Sequence, residues 1–215
     1  MLLLAVCVGI LGGFGALLFK KLIFSLQPVF WSTRDMSPDS LGAVVWYRRL
    51  LMPAAGGAIV GPLIYFLARE ARGHGVPEVM IAVITRNSVI RPIVVLVKSL
   101  ASAISIASGG SVGREGPIVQ IGAAIASTAG QVLRLHPVQM KTLVGCGVSA
   151  GIAATFNAPM AGTLFSLELI VADFGLSAFT PILVSAVAAT AVTRHFHGNI
   201  IEFTLPLFSM VSHWE

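Results

Sequence analysis

Six stretches of this chain contain no charged side chain: Met1–Phe19, Leu51–Ala68, Ser99–Gly113, Gly116–Leu133, Thr142–Leu167 and Phe174–Thr193. Several reach the roughly 18–20 residues a helix needs to cross the hydrocarbon of a bilayer. Only 11% of the 215 residues are charged and 56% are hydrophobic, against about a quarter charged in an ordinary soluble domain. Mean hydropathy is +0.89. The fold class expected is therefore all-α, a polytopic protein of the membrane, with the lipid bilayer as its first partner. Some runs are short or broken by Gly and Pro, and broken segments at membrane depth are tolerated where they line a cavity.

The net charge of +5 fits loops beside lipid headgroups. No basic run interleaved with aromatics is present, so nucleic acid is not an expected partner. Cys7 and Cys146 lie in apolar runs and read as buried thiols. No Cys/His cluster has metal-ligand spacing, and no metal or other cofactor is expected. Met1 opens straight into an apolar run, without the basic segment or cleavage site of a secretory leader. The apolar run Phe203–Ser212 breaks off at Trp214-Glu215. The expectation is one transmembrane domain over 1–215, part of a longer chain.

Punctuation divides the chain into helices at about 1–26, 50–70, 78–85, 91–108, 117–133, 137–155, 159–171 and 181–195. A polar connection near Trp31–Ser40 carries Arg34 and Asp35, and a loop carries Arg69, Glu70 and Arg72. Gly109–Gly116 reads as a loop at membrane depth. Gly9/Gly13, Gly57/Gly61 and Gly147/Gly151 are spaced for close helix packing in lipid. Lysine and arginine counts put the first connection in the cytoplasm, but Arg69, Arg72 and Arg86 weigh on the other side, so charge sets no orientation.

Two loops carry the chemistry. Gly73-His74-Gly75-Val76-Pro77 and Gly113-Arg114-Glu115-Gly116-Pro117 each end in a proline suited to the first position of a helix. Free N–H groups at a helix start, helped by its dipole, make an anion site, and glycine lets the backbone approach an ion closely. Glu115 is a built-in anion beside such a site. Ionised, it competes for the site; protonated, it can leave. From the residues alone, one shared anion site and two unrelated helix caps stand equally. Arg114 reads as loop support more than as a source of positive potential. Glu168 lies late in an apolar helix, either a functional intramembrane acid or a helix-end acid held by backbone and water. Glu78 falls in a helix first turn and reads as structural. His74 can donate to an anion or titrate near neutral pH. Gly109-Gly110-Ser111-Val112-Gly113 also matches the nucleophile elbow of serine hydrolases, with His195 or His197 as base, although a helical approach argues against it.

Three motifs in order resemble the CLC family of chloride channels and proton-coupled chloride exchangers. They are Gly73-His74-Gly75-Val76-Pro77-Glu78, the run Gly113–Gly122, and Phe156-Asn157-Ala158-Pro159-Met160-Ala161-Gly162. The resemblance spans nearly the whole chain and about half of the family's fold, the first of two inverted repeats with broken and re-entrant helices. It implies chloride or a similar anion as substrate and Glu115 as the gating glutamate. It places the anion against Gly73, His74, Gly75, Val76, Gly113, Arg114, Gly116, Pro117 and Ile118; Glu168, next to the family's proton-path position at Leu169, or a water chain can substitute on a possible proton path. It further implies a homodimer through helices near 159–195, residence in the plasma (inner) membrane, transport rather than enzymatic activity, and a first connection outside the cell. Three departures matter. The family's later G-x-F-x-P loop and pore tyrosine are absent. His74 stands where chloride-selective members usually carry Ser. Leu169 stands where exchangers carry an acid on the proton path, which favours a channel over an exchanger.

Overall fold

The computed structural model of the protein describes residues 1–31, 44–68, 71 and 73–198. All regular structure among them is helical. In chain order the elements are α1 (Leu2–Trp31), α2 (Trp46–Leu67), α3 (Val76–Thr85), α4 (Ile93–Ala107), α5 (Glu115–Val132), α6 (Pro137–Phe156), α7 (Pro159–Phe165) and α8 (Leu176–His197). Between α7 and α8, Ser166–Val171 continue α7 as a π-helical turn. Arg34, Asp35, Arg69, Glu70, Arg72, His213 and the run 203–212 lie outside the described residues.

Each expected helix is present, and two prolines sit elsewhere than expected. α5 starts at Glu115, which puts Pro117 in its third position. Its missing N–H is still one of the donors that lack an intrahelical acceptor, so the shift costs nothing. α8 starts at Leu176, and Pro181 lies buried inside it. That proline leaves the Ser177 carbonyl without its helical donor. Proline inside a membrane helix is tolerated where neighbouring groups re-satisfy the backbone.

α6 is the hub. All its residues from Leu143 to Ala154 are buried, as expected of a helix that is apolar all round. Glycines bring its neighbours in: a Cβ on Gly147 would strike the Gly122 carbonyl of α5, and one on Gly151 would sit 2.8 Å from the Ile118 carbonyl. Gly9 and Gly13 do the same for α1 against Ser185 and Ala189 of α8. Gly57 and Gly61, by contrast, have nothing within 4 Å among the described residues. Hydroxyls bridge helices where packing is closest. Ser185 Oγ donates to the Cys146 carbonyl at 3.0 Å, Ser149 Oγ to Ile182 at 3.0 Å, and Ser166 Oγ to Gly145 at 2.7 Å. Such bonds are a main source of helix association where lipid removes the hydrophobic drive. Cys146 is buried, but Cys7 faces outward from α1, against expectation.

α1, α2 and α8 are long and apolar enough to cross a membrane. α2 stands apart, with only 6% of its most apolar window buried. It leans on α4, where Gly56 meets the Ser108 side chain.

Candidate functional site

The two glycine-proline loops end side by side. Gly75, at φ 103°, precedes α3, and a Cβ there would strike the Gly116 carbonyl. A Cβ on Gly116 would in turn strike the His74 carbonyl. Only glycine permits this mutual approach, and only glycine holds the positive φ of Gly75 without strain. The starts of α3 and α5 are therefore in backbone contact. The second loop is pinned from behind. Trp31 Nε1 donates to the Ala107 carbonyl at 2.8 Å, and its ring lies against Gly109, at φ 93°.

Between the loops lies a cavity of roughly 380 Å³. Gly73, His74 and Val76 line one side, and Ser111, Gly113, Glu115, Gly116 and Pro117 the other. α4 contributes Lys98, Ser102 and Ser105, and α2 contributes Val60 and Ile64. Glu115 is exposed, and its carboxylate folds back against the Cα of Gly113. Glu78 makes the matching arrangement on the first loop. Its Oε2 accepts from the Gly75 N–H at 2.7 Å, and its other oxygen lies against Gly73. The Gly75 amide is thus engaged by protein. The Ile118 amide is engaged too, donating to the Arg114 carbonyl at 3.2 Å. The first-turn amides of Glu115 and Gly116 are the ones without an intrahelical acceptor.

The expected site residues separate into three groups. Gly73, His74, Val76, Gly113, Glu115, Gly116 and Pro117 line this cavity. Gly75 and the buried Ile118 stand behind its wall. Arg114 lines a second cavity on the far side of Glu115, bounded by α1, α6 and α8. Glu115 lines both. Glu168 sits exposed on the π-helical turn and lines neither. Ser111 is reached through α4, a helix, not through the strand a nucleophile elbow requires.

Lys98 is the residue the sequence reading missed. It is 3% exposed, and its Nζ donates to the Ala71 carbonyl at 3.1 Å and the Gly73 carbonyl at 2.8 Å. Glu78 is the opposing charge that acts on it. The ammonium both shapes the first loop and puts a positive charge at the cavity wall. Its signal was available: one lysine interrupts the apolar stretch before the uncharged run that opens at Ser99. Lys98→Met should lower the thermal midpoint of the purified protein, since it removes two hydrogen bonds from a charged group worth about 1.5–3 kcal/mol each and leaves the Ala71 and Gly73 carbonyls without that donor. Thermal unfolding of the purified variant checks this; an unchanged midpoint would reduce Lys98 to packing.

The sequence model of the voltage gated chloride channel matches residues 56–215. The chain belongs to the voltage-gated chloride channel (CLC) family. A ClcB-like chloride channel protein of Ralstonia nicotianae is 35% identical over 219 aligned residues, covering 100% of this chain and 51% of the relative. The voltage-gated ClC-type chloride channel ClcB of Escherichia coli is 35% identical over 211 residues, covering 96% and 50%. A CLC-type fluoride/proton antiporter superposes with a TM-score of 0.76 at 25% identity, covering 99% of this chain and 50% of that one. A slow cyanobacterial chloride/proton antiporter gives 0.77 at 23% identity, again 99% and 50%, a likeness of fold. The chain spans about half the length of the CLC relatives it matches. It is a multi-pass membrane protein of that family, with the CLC helical fold.

Proposed function

We propose that this chain forms the first half of a CLC subunit, a single transmembrane domain whose glycine loops hold chloride or a similar anion, with Glu115 as the gate. One observation carries the reading: Glu115 stands between two cavities, and its carboxylate rests on the loop glycine where an anion would meet the start of α5. A carboxylate there excludes an anion by charge and by volume. Protonation removes the charge and releases the side chain. The remaining half of the subunit supplies the facing wall of the site. The curated relatives are named as chloride channels, and the apolar Leu169 cannot relay a proton, which supports a channel.

Proton-coupled exchange through the same site is the second reading, favoured by the antiporter named at 25% identity and by Glu168 beside Leu169. The apolar surface that Met160, Leu164 and Val187 leave exposed supports the proposal of a homodimer through helices near 159–195, and the proposed residence is the plasma (inner) membrane. The deciding experiment is anion efflux from proteoliposomes of the intact protein with a simultaneous internal-pH readout. Protons driven uphill by a chloride gradient would establish exchange; chloride flux without them, a channel. The absence of anion flux under any gradient would end both.

His74→Ser should shift permeability toward chloride by about fivefold, the effect of changing one hydrogen-bond donor worth about 1 kcal/mol. Bi-ionic potentials measure it, and unmoved permeability ratios would leave His74 as a loop residue only.

A further inference from the structure

The cavity on the far side of Glu115 differs in kind from the anion cavity between the loops. It too is roughly 380 Å³, but it carries three cationic side chains: Lys20 of α1, Arg114 of the loop and Arg194 of α8. Glu115 is the acid among its lining residues. Arg194 is oriented by Asn157, whose Oδ1 accepts from its Nε at 2.6 Å. Gln27 lines the same cavity. It is 8% exposed, and its Oε1 meets no donor among the described residues. A buried acceptor left without a donor is costly, so it marks a place for a hydrogen-bond donor. Phe24 lines the cavity and is 50% exposed, with Leu18 further out on α1 at 66%. The cavity thus runs into an exposed apolar face of α1, a helix long and apolar enough to cross a membrane.

A bare halide matches little of this. It is small against the volume and brings no donor for Gln27. A phosphodiester suits two guanidinium groups and an ammonium. A hydroxylated head supplies the donor, and acyl chains continue along Phe24 and Leu18. Basic pockets between membrane helices are known to take lipid head groups in this way. We propose that this cavity binds the head group of an anionic phospholipid that carries hydroxyls, of the phosphatidylglycerol type, and that the bound lipid acts on Glu115. Negative charge on this side repels the carboxylate toward the anion cavity, so the lipid lowers flux. The effect on flux rests on Glu115 being the gate; the binding does not.

Two measurements on the intact protein separate these. Native mass spectrometry with added phosphatidylglycerol should show retention about tenfold tighter than phosphatidylcholine, as expected for charge-assisted contacts. Lys20→Gln and Arg194→Gln should each remove most of that preference, Arg194→Lys should keep most of it, and Gln27→Leu should erase the preference for phosphatidylglycerol over phosphatidic acid. Equal retention of phosphatidylglycerol and phosphatidylcholine, or variants that change nothing, would overturn the site. Displacement of phosphatidylglycerol by inorganic phosphate at equal affinity would overturn the lipid assignment. In proteoliposomes, flux should be lower with phosphatidylglycerol than with phosphatidylcholine alone, and Lys20→Gln should abolish the difference. Lipid retention with no change in flux would overturn the action on Glu115.

Discussion

Glu115→Gln is expected to raise chloride affinity of the intact protein by at least about tenfold at neutral pH and to flatten the dependence of flux on external pH. Two unit charges about 4 Å apart repel by about 4 kcal/mol at the effective dielectric constant of a protein surface. Because Glu115 is exposed, water screens part of that, and about 1.4 kcal/mol already gives a factor of ten. The amide keeps the side chain's size and loses its charge. Any gain therefore reports electrostatic competition rather than added space, and Glu115→Ala separates the two by opening space as well. Chloride calorimetry and proteoliposome flux across a range of external pH make the test. A pH profile identical to the parent would remove Glu115 from the gate.

The second large effect is structural. Gly75→Ala should lower the thermal midpoint of the purified protein and abolish chloride binding. The new Cβ would adopt a φ of 103°, worth about 1–3 kcal/mol of strain. It would also meet the Gly116 backbone, a neighbour that cannot swing aside, at a further cost of about 1–3 kcal/mol. Gly57→Ala is the control: nothing lies within 4 Å, and alanine is the better helix former, so its midpoint should stay or rise. A Gly75→Ala protein with the parent's midpoint and chloride affinity would mean that contact between the loops is dispensable.

Much of the fold was legible because uncharged runs and Gly-Pro punctuation report helix length and ends directly. The two loops were legible as helix starts for the same reason. Their contact was not. Whether Gly75 meets Gly116 depends on how α3 and α5 pack, and no local pattern encodes that. Proline position was only half informative: Pro117 signals a first turn, not which residue begins it, and Pro181 is carried inside α8 by packing around α6. Lys98 escaped because a single lysine ahead of an apolar run reads equally well as an interfacial anchor. Its role comes from the Ala71 and Gly73 carbonyls, which reach it from a distant part of the chain. Arg114 and Glu115 are neighbours in sequence, yet Arg114 lines one cavity and Glu115 two, a division set by the start of α5.

α2 gives the site a further property. Among the described residues the helix packs on α4 and is otherwise largely exposed, and Val60 and Ile64 form part of the wall of the cavity between the loops. Helices answer a mismatch between their apolar length and the bilayer by tilting. A helix held by one neighbour tilts more readily than one locked inside a bundle. The aperture on that side is therefore partly a property of the membrane: a thinner or thicker bilayer re-angles the wall while the glycine loops, tied to each other and to Lys98, stay where they are.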